Sequence, residues 1–198
     1  GQDVVKTSVS YALSSGSEIE TLRTTNDNGK SAINLTGNDF AQTLVGNAGA
    51  NILDGKAGAH TLIGGGGKDV FLLGPGTGID RISDYAKGEI VGVTRLLGVA
   101  AGTNVATGGY LRVTKDGQIQ LDTDGGADQW ITLSTINGNS AVTFRYLSGG
   151  SATNVSVSRV AAAEAGGTSA QHARFTDDMW RWPDMESLAF AHDSPGLI

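Results

Sequence analysis

The sequence predicts an all-β protein, a parallel solenoid of nine-residue repeats capped by antiparallel strands. Three observations carry this. Gly37, Gly46, Gly55 and Gly64 stand nine residues apart. Leu44, Leu53, Leu62 and Phe71 repeat at the same interval. Beyond residue 110 the pattern switches to alternating apolar and polar residues, broken by glycine-containing turns. Short fixed periods with one large apolar residue per repeat mark stacked rungs, each too small to bury its own side chain. Alternation with turn signals marks antiparallel strands. The chain divides into repeats at 1–73, a closing segment and antiparallel cap at 74–160, and a linker with a tryptophan-containing tail at 161–198.

The apolar position extends upstream through Leu35, Leu22 and Leu13, giving seven rungs centred near residues 13, 22, 35, 44, 53, 62 and 71. The step from Leu22 to Leu35 is thirteen residues. The four extra residues belong to the turn-rich stretch TTNDNGK. Glycine recurs because tight turns need backbone angles that a Cβ opposes. From Gly74, GPGTGIDRISDYAKGE reads as a loop with a short strand. Five strand-like runs follow: YLRVTK, QIQLDTD, QWITLSTI, AVTFRYL and TNVSVSR. The turns between them, DG at 116–117, DGGAD at 124–128, NGN at 137–139 and SGG at 148–150, carry hairpin signals. A solenoid needs such a cap because its last rung otherwise exposes an open edge. After Val160, AAAEAGGTSAQ reads as a linker. Pro183 opens a short helix through about His192, with Met185, Leu188 and Ala189 on one face, or the tail is irregular.

Composition excludes several functions. The formal charge is −6 and no basic cluster appears, which argues against nucleic acid. No run approaches the roughly 18 apolar residues of a membrane span, and GQDVVKTSVSY lacks the regions of a signal peptide. The chain has no cysteine, so disulfides and thiolate chemistry are absent. GGGGKD is not a phosphate loop, because Leu62 and Asp69 stand where Gly and Ser or Thr are required. No G-x-S-x-G occurs, and His60, His172 and His192 are far apart in sequence. The reading is non-enzymatic. DTDGGAD begins like an EF-hand loop, but Ala127 and Leu133 occupy its glycine and bidentate-glutamate positions.

GGGGKDVFL at 64–72 fits G-G-x-G-x-D-x-U-x, with U large and apolar, at every defined position. GNAGANILD and GKAGAHTLI keep the spacing but replace the second glycine and the aspartate. These repeats resemble the repeats-in-toxin (RTX) family. GIDRISDY is similar to the family's closing D-x-I-x-D-F segment, and YLRV, QLDTDGGAD and ITL are similar to its C-terminal regions. The resemblance implies a calcium-binding parallel β-roll in the C-terminal region of a type I secreted protein. Carboxylate and backbone carbonyl oxygens would surround each ion, as a hard cation requires.

The sixth positions of the repeats are Gln42, Asn51, His60 and Asp69. On the family's geometry Gln42 shares a side with His60, and Asn51 with Asp69. Imidazole is a poor ligand for calcium, so the ion is expected beside Asn51 and Asp69. Asp80 and Asp84 of the closing segment are further candidate ligands. The competing reading is that Asn51 and Asp69 only hydrogen-bond turn amides. Asp122, Asp124 and Asp128 form a candidate second cluster, or a solvated hairpin.

The expected function is a non-catalytic calcium-binding module of an exported protein, secreted or at the cell surface, acting in secretion, extracellular folding and stability. The type I secretion apparatus is the implied partner. Two alternatives stay open: a self-assembling or adhesive surface or filament protein, and a carbohydrate-associated module of an extracellular enzyme. Self-association would use sheet edges or the tail, where Trp180 and Trp182 serve as a lid, part of a secretion signal, or an interface anchor.

Overall fold

The computed structural model describes residues 1–74, 78–126, 129–137 and 141–160. The tail expectations, including the helix from Pro183 and the roles of Trp180 and Trp182, lie outside the described residues. Among the described residues every regular element is a strand.

The first ten strands form a two-sided roll. β1 (Val4–Thr7), β3 (Thr21–Thr24), β5 (Thr43–Val45), β7 (Thr61–Ile63) and β9 (Asp80–Ile82) pair in parallel as one sheet. β2 (Tyr11–Ala12), β4 (Leu35–Thr36), β6 (Ile52–Asp54), β8 (Val70–Leu72) and β10 (Ile90–Gly92) form the other. Successive strands alternate between sheets, so one full coil takes two repeats. The three-residue strands β5, β7 and β8 each bury only the middle residue, as the two-residue period of a strand dictates. In register, Leu22, Leu44, Leu62 and Ile82 line one sheet. Leu35, Leu53, Phe71 and Val91 line the other. All eight are fully buried, each such side chain stabilising the stack by roughly 1.5–3 kcal/mol relative to exposure.

The parallel stack does not end at residue 73. β9 and β10 add two rungs, with Ile82 eleven residues after Phe71 and Val91 nine after Ile82. The two extra residues lie in the sequence between β8 and β9.

The cap continues both sheets. β12 (Leu111–Thr114), β13 (Gln118–Leu121) and β14 (Ile131–Ile136) are antiparallel, and β14 joins β9 in parallel. β15 (Val142–Ser148) joins β10 in parallel and pairs with β16 (Ser151–Val157) as a hairpin. β11 (Gly98–Val99) and β17 (Arg159–Val160) complete the edges beside β15 and β12. The five expected runs are β12–β16. The hairpin signalled between β14 and β15 is not formed, because β14 lies in the sheet of β9 and β15 in the sheet of β10. Phe144 of β15 extends the buried ladder in register with Val91. Arg95, after β10, reaches back to Asp54 of β6 through two hydrogen bonds of 2.9 and 2.6 Å.

Candidate metal centre

Alternation between sheets sorts the turns into two columns. Turns 46–51, 64–69 and 83–89 run from the β1 sheet to the β2 sheet. Turns 37–42 and 55–60 run back. In the four turns that open on Gly37, Gly46, Gly55 and Gly64, the last residue folds its side chain over that glycine. A Cβ at Gly46 would collide with Asn51 Oδ1, at Gly64 with Asp69 Oδ2, and at Gly55 with His60 Nδ1. Glycine is needed there to leave room for a folded-back polar group.

The first column places Asn51, Asp69 and Glu89 at equivalent positions immediately before β6, β8 and β10. Asn51 is fully engaged. Its Oδ1 accepts from Asn47 N (2.8 Å), and its Nδ2 donates to Ile33 O (2.8 Å) and Asn47 Oδ1 (3.1 Å). Asp69 is half-engaged. Its Oδ1 accepts from Asn51 N at 2.7 Å, while Oδ2 is buried and receives no amide or hydroxyl hydrogen bond. Glu89, only 2% exposed, accepts from Ala86 N at 2.7 Å. Its carboxyl lies within hydrogen-bond reach of Asp69. Asp84 joins the same column, accepting from Gly64 N (2.9 Å) and Gly65 N (2.8 Å).

Burial pushes the Glu89 carboxyl up to about 7, and the nearby Asp69 and Asp84 charges add to the rise. Burial also raises Asp69, against the lowering effect of the Asn51 N–H. Two carboxyls in one dry site cannot both ionise cheaply without a cation.

Asp80 belongs to the other column. Its Oδ1 accepts from His60 N (2.9 Å) and faces His60 Nδ1 (3.0 Å). The four residues Asn51, Asp69, Asp80 and Asp84 therefore do not form one site. Asn51, Asp69 and Asp84 share a column, and Asp80 sits beside His60. In the candidate second cluster, Asp122 is buried and holds its loop by accepting from the Asp124, Gly125 and Gln129 amides. Asp124 accepts from Gly126 N. Asp128 lies outside the described residues.

Glu89 escaped the motif reading because the G-x-G pattern fades after residue 69. The available signal was spacing, since Glu89 stands nine residues after Asp80, as Val91 does after Ile82.

The Asp69–Glu89 pair fits a hard cation. It presents oxygen donors alone, buried together, and burial keeps one of the two acids partly protonated. Among the described residues no group of three or more His, Cys, Asp or Glu side chains is placed to hold a metal. Backbone carbonyls of the turns would have to complete the coordination.

The model for the RTX calcium-binding nonapeptide repeat matches residues 36–71 and 45–82. Residues 36–82 are RTX repeats. With the stacked parallel coils, this makes the region an RTX β-roll, and calcium is the ion that the repeat family binds. The match spans less than half of the 198-residue chain. No curated protein and no solved structure matches the chain. Among the described residues, no helix is long and apolar enough to cross a membrane.

Proposed function

We propose that the chain is a non-catalytic, calcium-responsive RTX module of a protein exported by a type I apparatus, and that it acts in extracellular folding and stability. The observation that carries this is the buried pair of carboxyls Asp69 and Glu89, in which Asp69 Oδ2 receives no amide or hydroxyl hydrogen bond. Asp69 and Glu89 would hold the ion, and Asp84 adds negative charge while clamping the Gly64 and Gly65 amides. Bound calcium supplies the positive charge that lets both buried carboxylates ionise. Glu89 gives up its remaining proton on binding, so affinity rises with pH through about 7.

Where calcium is scarce, the buried carboxylates oppose closure of this end of the roll. At the roughly millimolar concentrations that extracellular calcium modules use, binding free energy becomes folding free energy. The rest of the stability comes from the apolar ladder and from turns closed by amides. Calorimetric calcium titration with parallel far-UV circular dichroism tests the reading. The expected result is binding with proton release and a higher Tm than in chelator. A chain that binds no calcium and melts identically in chelator would refute it.

A second reading, edge-to-edge assembly, is favoured by one observation. Val4, Val9 and Tyr11, on or beside the terminal strands β1 and β2, are 51%, 64% and 44% exposed. Concentration-dependent light scattering by the intact chain would support it.

A further inference from the structure

The outer face of the β1 sheet carries a row of side chains that the calcium reading leaves unused. Thr21, Thr43 and Thr61 stand side by side on β3, β5 and β7. The row continues through Arg81 of β9, Thr135 of β14 and Gln118 of β13. Each of the six neighbours a buried residue in its own strand, so strand alternation turns it outward. All are partly or fully exposed. Neighbouring strands lie about 4.8 Å apart, so the row runs roughly 24 Å along the roll axis. We propose that this face binds a linear anionic polysaccharide laid along the row.

Charge complementarity selects the ligand. The chain is acidic, at −6, but this face is not. Among the described residues Asp80 is the one carboxylate in the strands of this sheet, and it is buried on the inner side. The outward cations are Lys6, Arg23, Arg81 and Arg112. Asp27 at the rim neutralises Arg23 at 2.7 Å. Among the described residues the other three form no ion pair.

The cap end of the face is built to hold a ligand still. Arg112, Gln120 and Thr132 stand abreast on β12, β13 and β14. Gln120 Oε1 accepts from Arg112 Nε at 2.7 Å, and Gln120 Nε2 donates to Gln118 Oε1 and Thr132 Oγ1, both at 3.1 Å. The Arg112 guanidinium lies over the Trp130 ring, 3.9 Å from its centroid. Its position is thus set by a hydrogen bond and an aromatic face, leaving the terminal nitrogens to grip a carboxylate or sulfate in a fork.

The spacing of charge favours sugar over nucleic acid. Arg81 and Arg112 are three strands apart, roughly 14 Å, with hydroxyl and amide groups between them. Duplex DNA carries a charge every roughly 1.7 Å of its axis and calls for a denser basic cluster. A polymer with many hydroxyls and sparser acid groups matches both sets of donors. These residues lie on strands, between the two columns of turns, so the proposal does not draw on the metal ligands.

Calorimetric titration of the intact chain in calcium tests this with four soluble probes: a carboxylated oligosaccharide, a sulfated one, an uncharged one of equal length, and single-stranded DNA. Binding to one or both anionic sugars, weakened by salt, is the expected result, and their ratio tells which acid group the face reads. Arg81→Glu should weaken binding at least tenfold and Arg112→Gln severalfold, in chains whose circular dichroism is unchanged. Arg145→Glu makes the same charge change on the outer face of the opposite sheet and should leave binding within twofold. The proposal is overturned if neither anionic sugar binds, if the uncharged sugar binds as well, if DNA binds more tightly, or if R145E loses as much as R81E.

Discussion

Replacing Glu89 by glutamine separates the two roles of the first column. In the fold the Glu89 carboxyl sits at about 7, against an ordinary 4.5. That gap corresponds to about 3 kcal/mol of destabilisation once the group is ionised. Because its value is raised in the fold, the stability linked to Glu89 is present in full below about pH 4.5 and lost as pH rises through about 7. Glutamine removes this liability. Its Oε1 keeps the Ala86 N–H, and its amide can donate to Asp69 Oδ2. In chelator at pH 7.5, E89Q should melt higher than the wild type, by about 6–12 °C if all 3 kcal/mol is recovered in a domain of this size. In calcium the order should reverse or close, because the ion has lost one of its two buried carboxylates. Paired thermal melts with and without calcium between pH 5 and 8 give the answer. If E89Q melts lower than the wild type in chelator, or gains as much from calcium, the first column is not the responsive site.

Three further outcomes are expected. Leu62→Ala removes a fully buried ladder residue flanked in register by Leu44 and Ile82. It should cost about 2–5 kcal/mol in denaturant unfolding, with or without calcium. Asp54 is buried, which raises its carboxyl, but hydrogen bonding and charge from Arg95 outweigh this and leave it below the ordinary carboxylate range. Its contribution is present above about pH 4 and lost as pH falls through the lowered value. Asp54→Asn should cost about 1–3 kcal/mol at pH 7, discounted because the Arg95 side chain is a third exposed, and should flatten the acid limb of the stability profile. Lys56 holds φ at 70°, a left-handed angle that disfavours a side chain. Lys56→Gly should therefore be neutral to about 1 kcal/mol stabilising in urea melts, despite losing a partly exposed ion pair to Asp54.

The roll was legible in the sequence because one number, nine, fixed both the turns and the buried residue. Leu44, Leu53, Leu62 and Phe71 land where that period puts them, and the five alternating runs are strands. The family resemblance, not the period, implied that Asn51 shares a side with Asp69 and Gln42 with His60, and the strand register places them so. Legibility failed where the count broke. Asp69 and Asp80 are eleven apart, and the longer link hid the fact that Asp80 continues the His60 column while Glu89 continues that of Asp69. The NGN turn misled for a related reason. Composition reveals a reversal of chain direction but not whether the chain stays in the same sheet. The amide locks were also invisible beforehand. That Asn38 and Asn47, in place of a second glycine, close their own turns with Gln42 and Asn51 emerges only from side-chain geometry.

A stack whose coils touch only their neighbours tends to fray from its ends one rung at a time. The Arg95–Asp54 bridge works against that here. It joins the segment after β10 to β6, passing over β8, which lies between them in the sheet. A front of unzipping that enters from the capped end cannot free the segment around Arg95 while β6 still holds its guanidinium. Three adjacent rungs of one sheet are thus yoked into one cooperative block. Calcium at Glu89, just before β10, would act on the whole block and not on a single turn.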